Sequence, residues 1–175
     1  IVHRYCTVEK QCAMIKNSKA THAAAAIAVS GDYLDRATAL WDCGVRTLCI
    51  DVAHGHHVLM ERALKSLKDI FGEEICIIAG NIATAEAYSD LQEWGADAIR
   101  VGIGGGSICS TRIQTGHGIP TFQSILDCRA VNGSAVIIAD GGLKTAGDIE
   151  KSFAAGADFA MLGSMLAGTH ESPGE

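Results

Sequence analysis

Along the chain, short runs of alanine and β-branched residues alternate with longer stretches in which apolar positions recur at helical spacing. The short runs fit strands covered on both faces, and the longer stretches fit helices that bury one stripe. This pattern predicts strands over 1–5, 23–29, 46–51, 75–79, 98–101, 135–139 and 159–162. Helices are predicted over 8–17, 32–43, 58–71, 83–94, 121–130 and 146–155. Ser30, Thr84 and Thr145 stand where a side chain would cap free helix N–H groups. Alternating strands and helices are the signature of a parallel sheet.

A weak internal repeat refines the topology. Cys43-Gly44-Val45-Arg46, Gly95-Ala96-Asp97-Ala98 and Gly156-Ala157-Asp158-Phe159 each put glycine between a helix and the next strand, where a left-handed turn is needed. The strands that follow end at Asp51, Gly102 and Gly163, so polar residues and glycines collect at one end of the sheet. A (β/α)8 barrel builds its site at that end from many loops, whereas a doubly wound sheet concentrates it at one switch point. The expected fold is therefore an α/β (β/α)8 barrel over residues 1–175. It is incomplete, with about seven βα units where eight are required, and an open barrel leaves unpaired strand edges.

Composition narrows the class. Hydrophobic residues make up 48% of the 175, enough for a packed core, so disordered and collagen-like chains are excluded. A formal charge of −6 without charge runs argues against nucleic acid as a partner. The longest apolar run, 23–29, is too short to span a membrane, and the first residues lack the pattern of a secretory signal. The odd number of cysteines, seven, shows no C-x-x-C spacing that would suggest a zinc site, which fits a reducing cytoplasm.

The densest chemistry lies in Val101-Gly-Ile-Gly-Gly-Gly-Ser-Ile-Cys109-Ser-Thr-Arg112. Its glycines permit close backbone approach to a ligand or ion. Cys109, beside Ser107, Thr111 and Arg112, has the setting of a nucleophilic thiolate, with an unreactive loop cysteine as the alternative. Asp140, before two glycines at a strand end, is placed either to accept ribose hydroxyls or to form a turn. Asp51 is either a ligand carboxylate or a cap for the next helix. His54, His56 and His57 have no metal-ligand spacing. The remaining cysteines, with Trp41 and Trp94, read as packing residues.

The stretch GIGGGSICSTRIQTGHGIP resembles the cysteine loop of the inosine-monophosphate dehydrogenase and guanosine-monophosphate reductase family. Asp51-Val-Ala-His-Gly-His56 resembles the family's dinucleotide-side loop, and Ala79-Gly-Asn-Ile-Ala-Thr84 its G-N-V-x-T strand end. Ala139-Asp-Gly-Gly142 resembles the ribose-binding A-D-G-G segment, and Met161-Leu-Gly-Ser-Met-Leu-Ala-Gly168 the phosphate loop. Glu171-Ser-Pro-Gly-Glu175 resembles the approach to the mobile flap. The motifs cover essentially the whole chain, in order.

The resemblance implies Cys109 as the nucleophile toward purine C2, with Thr111 assisting the attacking water or the departing ammonia. Ser107, Asp140, Gly142, Gly163 and Ser164 would bind the mononucleotide, with Asp140 on the ribose. Asp51, Gly102 and Gly104 would face the cofactor, NAD in a dehydrogenase or NADPH in a reductase. Backbone carbonyls of Gly104, Gly106 and Cys109 would hold potassium. The implied substrate is IMP or GMP, and the implied assembly a cytoplasmic homotetramer.

The regulatory nucleotide-binding (CBS) modules that many dehydrogenases insert after the second helix have no counterpart between 15 and 22. The family's first strand and flap, which carries the water-activating base, are expected beyond the two ends. Ser107-Ile-Cys109, His54-Gly-His56 and the run 168–174 lean toward NAD-dependent oxidation of IMP to XMP. Val52 and the lack of modules lean toward the reductase. A nucleotide-binding barrel fragment without turnover is the third reading.

Overall fold

The computed structural model describes residues 1–172, so the flap-like run 171–175 lies partly outside the described residues. One sheet holds six strands in chain order, every neighbouring pair parallel. They are β1 (Ala24–Ile27), β2 (Thr47–Asp51), β3 (Cys76–Ile82), β4 (Ala98–Val101), β5 (Val136–Asp140) and β6 (Phe159–Met161). Seven helices run between and before them: α1 (Val8–Lys16), α2 (Tyr33–Asp42), α3 (Val58–Phe71), α4 (Ala85–Glu93), α5 (Thr111–Thr115), α6 (Thr121–Ala130) and α7 (Ala146–Ala154). A sequential parallel sheet that curls, with a helix after each of β1 to β5, is an incomplete (β/α)8 barrel.

The expected strand at 1–5 shrinks to one bridge. Val2 donates to the Ala24 carbonyl and accepts from the Ala26 N–H, both at 2.8 Å. The Tyr5 N–H then turns back to His3 Nδ1 at 3.1 Å, which takes the chain out of extended pairing. The helix α5 went unpredicted because it is barely a turn long and has no buried stripe.

The internal repeat proves to be a repeated stop signal. Gly44, Gly95 and Gly156 have φ of 95°, 106° and 110°, just past the ends of α2, α4 and α7. The next N–H in each case, of Val45, Ala96 or Ala157, reaches back to Leu40, Leu91 or Ser152 at 3.0 Å, closing a Schellman motif. In two copies the aspartate that follows fastens the start of a strand. Asp97 accepts the Ile77 N–H at 2.7 Å and pairs with Lys68, and Asp158 accepts the Ile137 N–H at 2.8 Å and pairs with Arg129. The first copy has Arg46 instead, stacked 3.7 Å over Trp41, which itself packs on Phe71.

The core runs between the sheet and its helices, through Ile27, Leu48, Ile50, Leu64, Ile77 and Leu91, all at most 1% exposed. Thr84 and Thr145 cap α4 and α7 as expected, Thr145 within a reciprocal capping box with Asp148. Ser30 does not cap α2; its N-cap is Asp32, whose side chain makes no capping bond because it pairs instead with Arg36. The sheet thus presents the ends of β2, β3, β4 and β5 side by side, with Asp51, Asn81, Gly102 and Asp140 at or just past them.

Candidate active site

Strand register determines which side chains meet. Asp51 lies opposite Gly80, Gly80 opposite Arg100, and Arg100 opposite Ile138, with Asp140 two residues further on the same face. Because Gly80 has no side chain, Arg100 passes over it: a Cβ there would sit 2.6 Å from the Arg100 Cβ. Arg100 Nη1 donates to Asp51 Oδ1 at 2.8 Å, while Nε and Nη2 donate to Asp140 Oδ2 at 2.9 and 2.7 Å. Burial works against this guanidinium charge, but Asp140, then Cys49 and Asp51, outweigh it and raise its pKa.

The register of β3 on β4 slips between Gly80 and Ile82, and Asn81 turns across the strand ends. Its Nδ2 donates to the Gly102 carbonyl at 2.8 Å and to Asp140 Oδ2 at 2.9 Å. Three donors therefore converge on Oδ2 of Asp140, and among the described residues its Oδ1 has no partner. The Asn81 Oδ1 is likewise buried without a partner among the described residues. Two acceptors are thus left over in one place, as a ligand with hydroxyl or N–H donors requires.

The glycine-rich loop lies directly on the end of β5. Gly102 has φ 144°, and a Cβ there would stand 2.0 Å from the Asp140 carbonyl oxygen, so no other residue fits. The loop carries the chain to Cys109, whose N–H donates to the Gly106 carbonyl at 3.1 Å. Cys109 Sγ lies 3.3 Å from Thr111 Oγ1, at the start of α5. The Thr111 hydroxyl and then its N–H lower the thiol pKa, a small burial effect opposes them, and the Gly104 N–H and Arg112 charge add to the lowering.

These residues line one cavity of about 500 Å³, which takes in Asp51, Gly102, Gly104, Gly106, Cys109, Thr111 and Asp140 from the sequence expectations. Arg100, Asn81 and, from the N-terminal segment, Arg4 were not anticipated as site residues. An arginine inside the apolar strand Ala98-Ile-Arg-Val101 was the available signal, since a buried guanidinium demands carboxylate partners. Ser107, Gly142, Gly163 and Ser164 are exposed and do not line the cavity, although Gly142 sits beside the Gly105 carbonyl. His56 is committed to Asp90 at 2.8 Å, and His54 lines a smaller cavity of about 220 Å³ with Thr84 and His117.

Four of the other cysteines differ from Cys109. Burial pushes Cys128 up to about 12, and burial with Cys43 beside it pushes Cys12 up to about 11. Burial also raises Cys49, against the opposing effect of Arg100. Cys76 is exposed, contrary to the expectation of a core residue, because it is the first residue of its strand. Burial and then the Asp97 charge nevertheless raise its pKa. Iodoacetamide near neutral pH should therefore alkylate Cys109 first, and the pH midpoint of that reaction should lie below that of a free thiol. Peptide mapping checks this, and equal early labelling of Cys76 would contradict it.

A sequence profile described as the IMP dehydrogenase / GMP reductase domain matches residues 1–175. Over 153 residues, 86% of the chain, the sequence is 52% identical to a GMP reductase from Leishmania major and 52% identical to an inosine-5'-monophosphate dehydrogenase from Staphylococcus aureus. The alignment covers 31% of each, so the chain spans about a third of the length of the curated relatives it matches. The crystal structure of inosine 5' monophosphate dehydrogenase from Legionella pneumophila superposes with a TM-score of 0.91 at 46% identity, over 99% of this chain and 52% of that one.

Proposed function

Since the chain belongs to the IMP dehydrogenase / GMP reductase family, we propose that the protein carrying it oxidises IMP to XMP with NAD through a covalent bond to Cys109. The observation that carries this reading is a thiol of lowered pKa, paired with Thr111, sharing one cavity with an aspartate whose Oδ1 has no partner among the described residues. In the proposed chemistry the Cys109 thiolate adds to purine C2. The C2 hydrogen leaves with its electron pair as hydride, and the ring stays bound to sulfur. Water then adds to C2, aided by Thr111, and the thiolate departs, giving XMP. Asp140 orients the mononucleotide by its ribose, with the exposed Ser107, Gly142, Gly163 and Ser164 as candidates for the phosphate.

The residues fit the second nucleotide as well. Asp51 spends one oxygen on Arg100 and lines the cavity with the other available to ribose hydroxyls. When bound there, NAD would supply the hydride acceptor. The Gly106 carbonyl has one lone pair taken by the Cys109 N–H and one left, so a potassium ion on the carbonyls of Gly104, Gly106 and Cys109 is compatible with the loop. We further propose a homotetramer as the working assembly.

GMP reduction with NADPH is the second reading, since the chain is 52% identical to a GMP reductase and equally to a dehydrogenase. It uses the same thiolate, with ammonia leaving C2 and hydride arriving. The spelling Ser107-Ile-Cys109 and His54-Gly-His56 favours the dehydrogenase. Supplying the full-length protein with IMP and NAD should raise the absorbance of reduced nicotinamide. Consumption of NADPH with GMP, and no response to IMP, would select the reductase instead.

A further inference from the structure

The two carboxylates that face the two nucleotides share one counter-ion. Arg100 grips Asp140 with Nε and Nη2 and Asp51 with Nη1, across a strand that offers only Gly80 between them. Its side chain is 15% exposed, Asp140's 16% and Asp51's 34%. The fork is planar and rigid, so a rotation that improves one pair worsens the other. Asp140 is further fixed by Asn81, whereas Asp51 hangs on the guanidinium alone among the described residues.

We propose that Arg100 is a positioning residue that couples the two nucleotide subsites, so that a ribose seated on Asp140 sets Asp51 for the second nucleotide. The inference rests on the nucleotide reading above and goes beyond it. A hydroxyl donating to Oδ1 of Asp140 immobilises that carboxylate, and the three donors on Oδ2 are immobilised with it. The guanidinium then holds Asp51 in one place, and the dinucleotide no longer spends binding free energy on ordering it. The coupling must be reciprocal, because it is a difference between equilibrium affinities. A lysine keeps the charge but cannot hold both carboxylates in a fixed plane.

Calorimetric titration of the full-length protein with GMP and oxidised NAD tests this, since neither reaction consumes that pair. In the unmodified protein, saturating GMP should lower the Kd for NAD by about fivefold or more. In Arg100→Lys each ligand should still bind alone, and the factor should fall below about twofold. If Arg100→Lys does not fold, as a thermal melt would show, Asp51→Ala carries the test at a half-exposed position. There GMP should still bind, but its affinity should no longer respond to saturating NAD. An undiminished factor in either folded variant, or no coupling in the unmodified protein, would overturn the proposal. Failure of GMP to bind the unmodified protein would instead overturn the nucleotide reading on which it stands.

Discussion

Replacing Cys109 by serine should abolish turnover while leaving the mononucleotide bound. A serine hydroxyl is essentially protonated near neutral pH and is a much weaker nucleophile than a thiolate, so removal of the attacking sulfur should lower kcat by roughly a thousandfold or more. Binding should survive because the proposed ribose anchor lies elsewhere: Asp140 is held by Arg100 and Asn81, and neither touches the sulfur. Stability should also survive, since the Cys109 side chain contributes little to the core. Stopped-flow mixing followed by denaturing mass spectrometry separates these effects. The unmodified protein should carry an adduct of nucleotide mass on the peptide containing Cys109, and Cys109→Ser should carry none. Turnover near the unmodified rate in that variant would remove Cys109 from the mechanism. A companion change, Thr111→Val, deletes the first contributor to the lowered thiol pKa, so the pH midpoint of alkylation should move upward.

What the sequence disclosed and what it concealed divide along physical lines. Strands β2, β4 and β5 were legible because each is a short apolar run closed by a turn signal, and α2 and α3 because their apolar stripes recur at helical spacing. The repeated glycines at 44, 95 and 156 were legible as helix stops because only a left-handed residue ends a helix in that way. Cys109, Thr111, Asp51 and Asp140 were legible as chemistry, and the cavity brings all four together. Arg100 and Asn81 were concealed because their importance is a matter of register. Arg100 meets its two carboxylates only when β2, β3, β4 and β5 align, and Asn81 crosses the strand ends only because the β3 register slips. No spacing along the chain encodes contacts 40 to 59 residues apart. The segment 1–5 misled for the opposite reason: its composition suits a strand, but a single bridge satisfies its pairing before the chain turns.

Replacing Asp140 by alanine should damage folding and binding together, because its two oxygens have separate tasks. Oδ2 neutralises a guanidinium that is only 15% exposed, and loss of one partner from a buried ion pair typically costs about 3–5 kcal/mol. Asp51 still holds Nη1, so the lower end, about 3 kcal/mol, is expected. For a chain of this size that corresponds to a drop in Tm of roughly 6–12 °C. Oδ1 is the acceptor left for a ligand hydroxyl, and loss of a hydrogen bond to a charged group costs about 1.5–3 kcal/mol, or roughly ten- to a hundredfold in Kd. Asp140→Asn distinguishes the two tasks. With its oxygen toward Arg100 and Asn81, the amide still accepts from the three donors but no longer neutralises the guanidinium, and its NH2 can donate to a ribose hydroxyl, which accepts as well as donates. The asparagine variant should therefore lose stability to the uncompensated charge yet keep more IMP affinity than alanine, which loses both. Thermal unfolding and calorimetry with IMP on the same preparations read the two losses separately. An Asp140→Ala protein with unchanged Tm would refute the buried-pair argument, and one with unchanged IMP affinity would remove Asp140 from the nucleotide site.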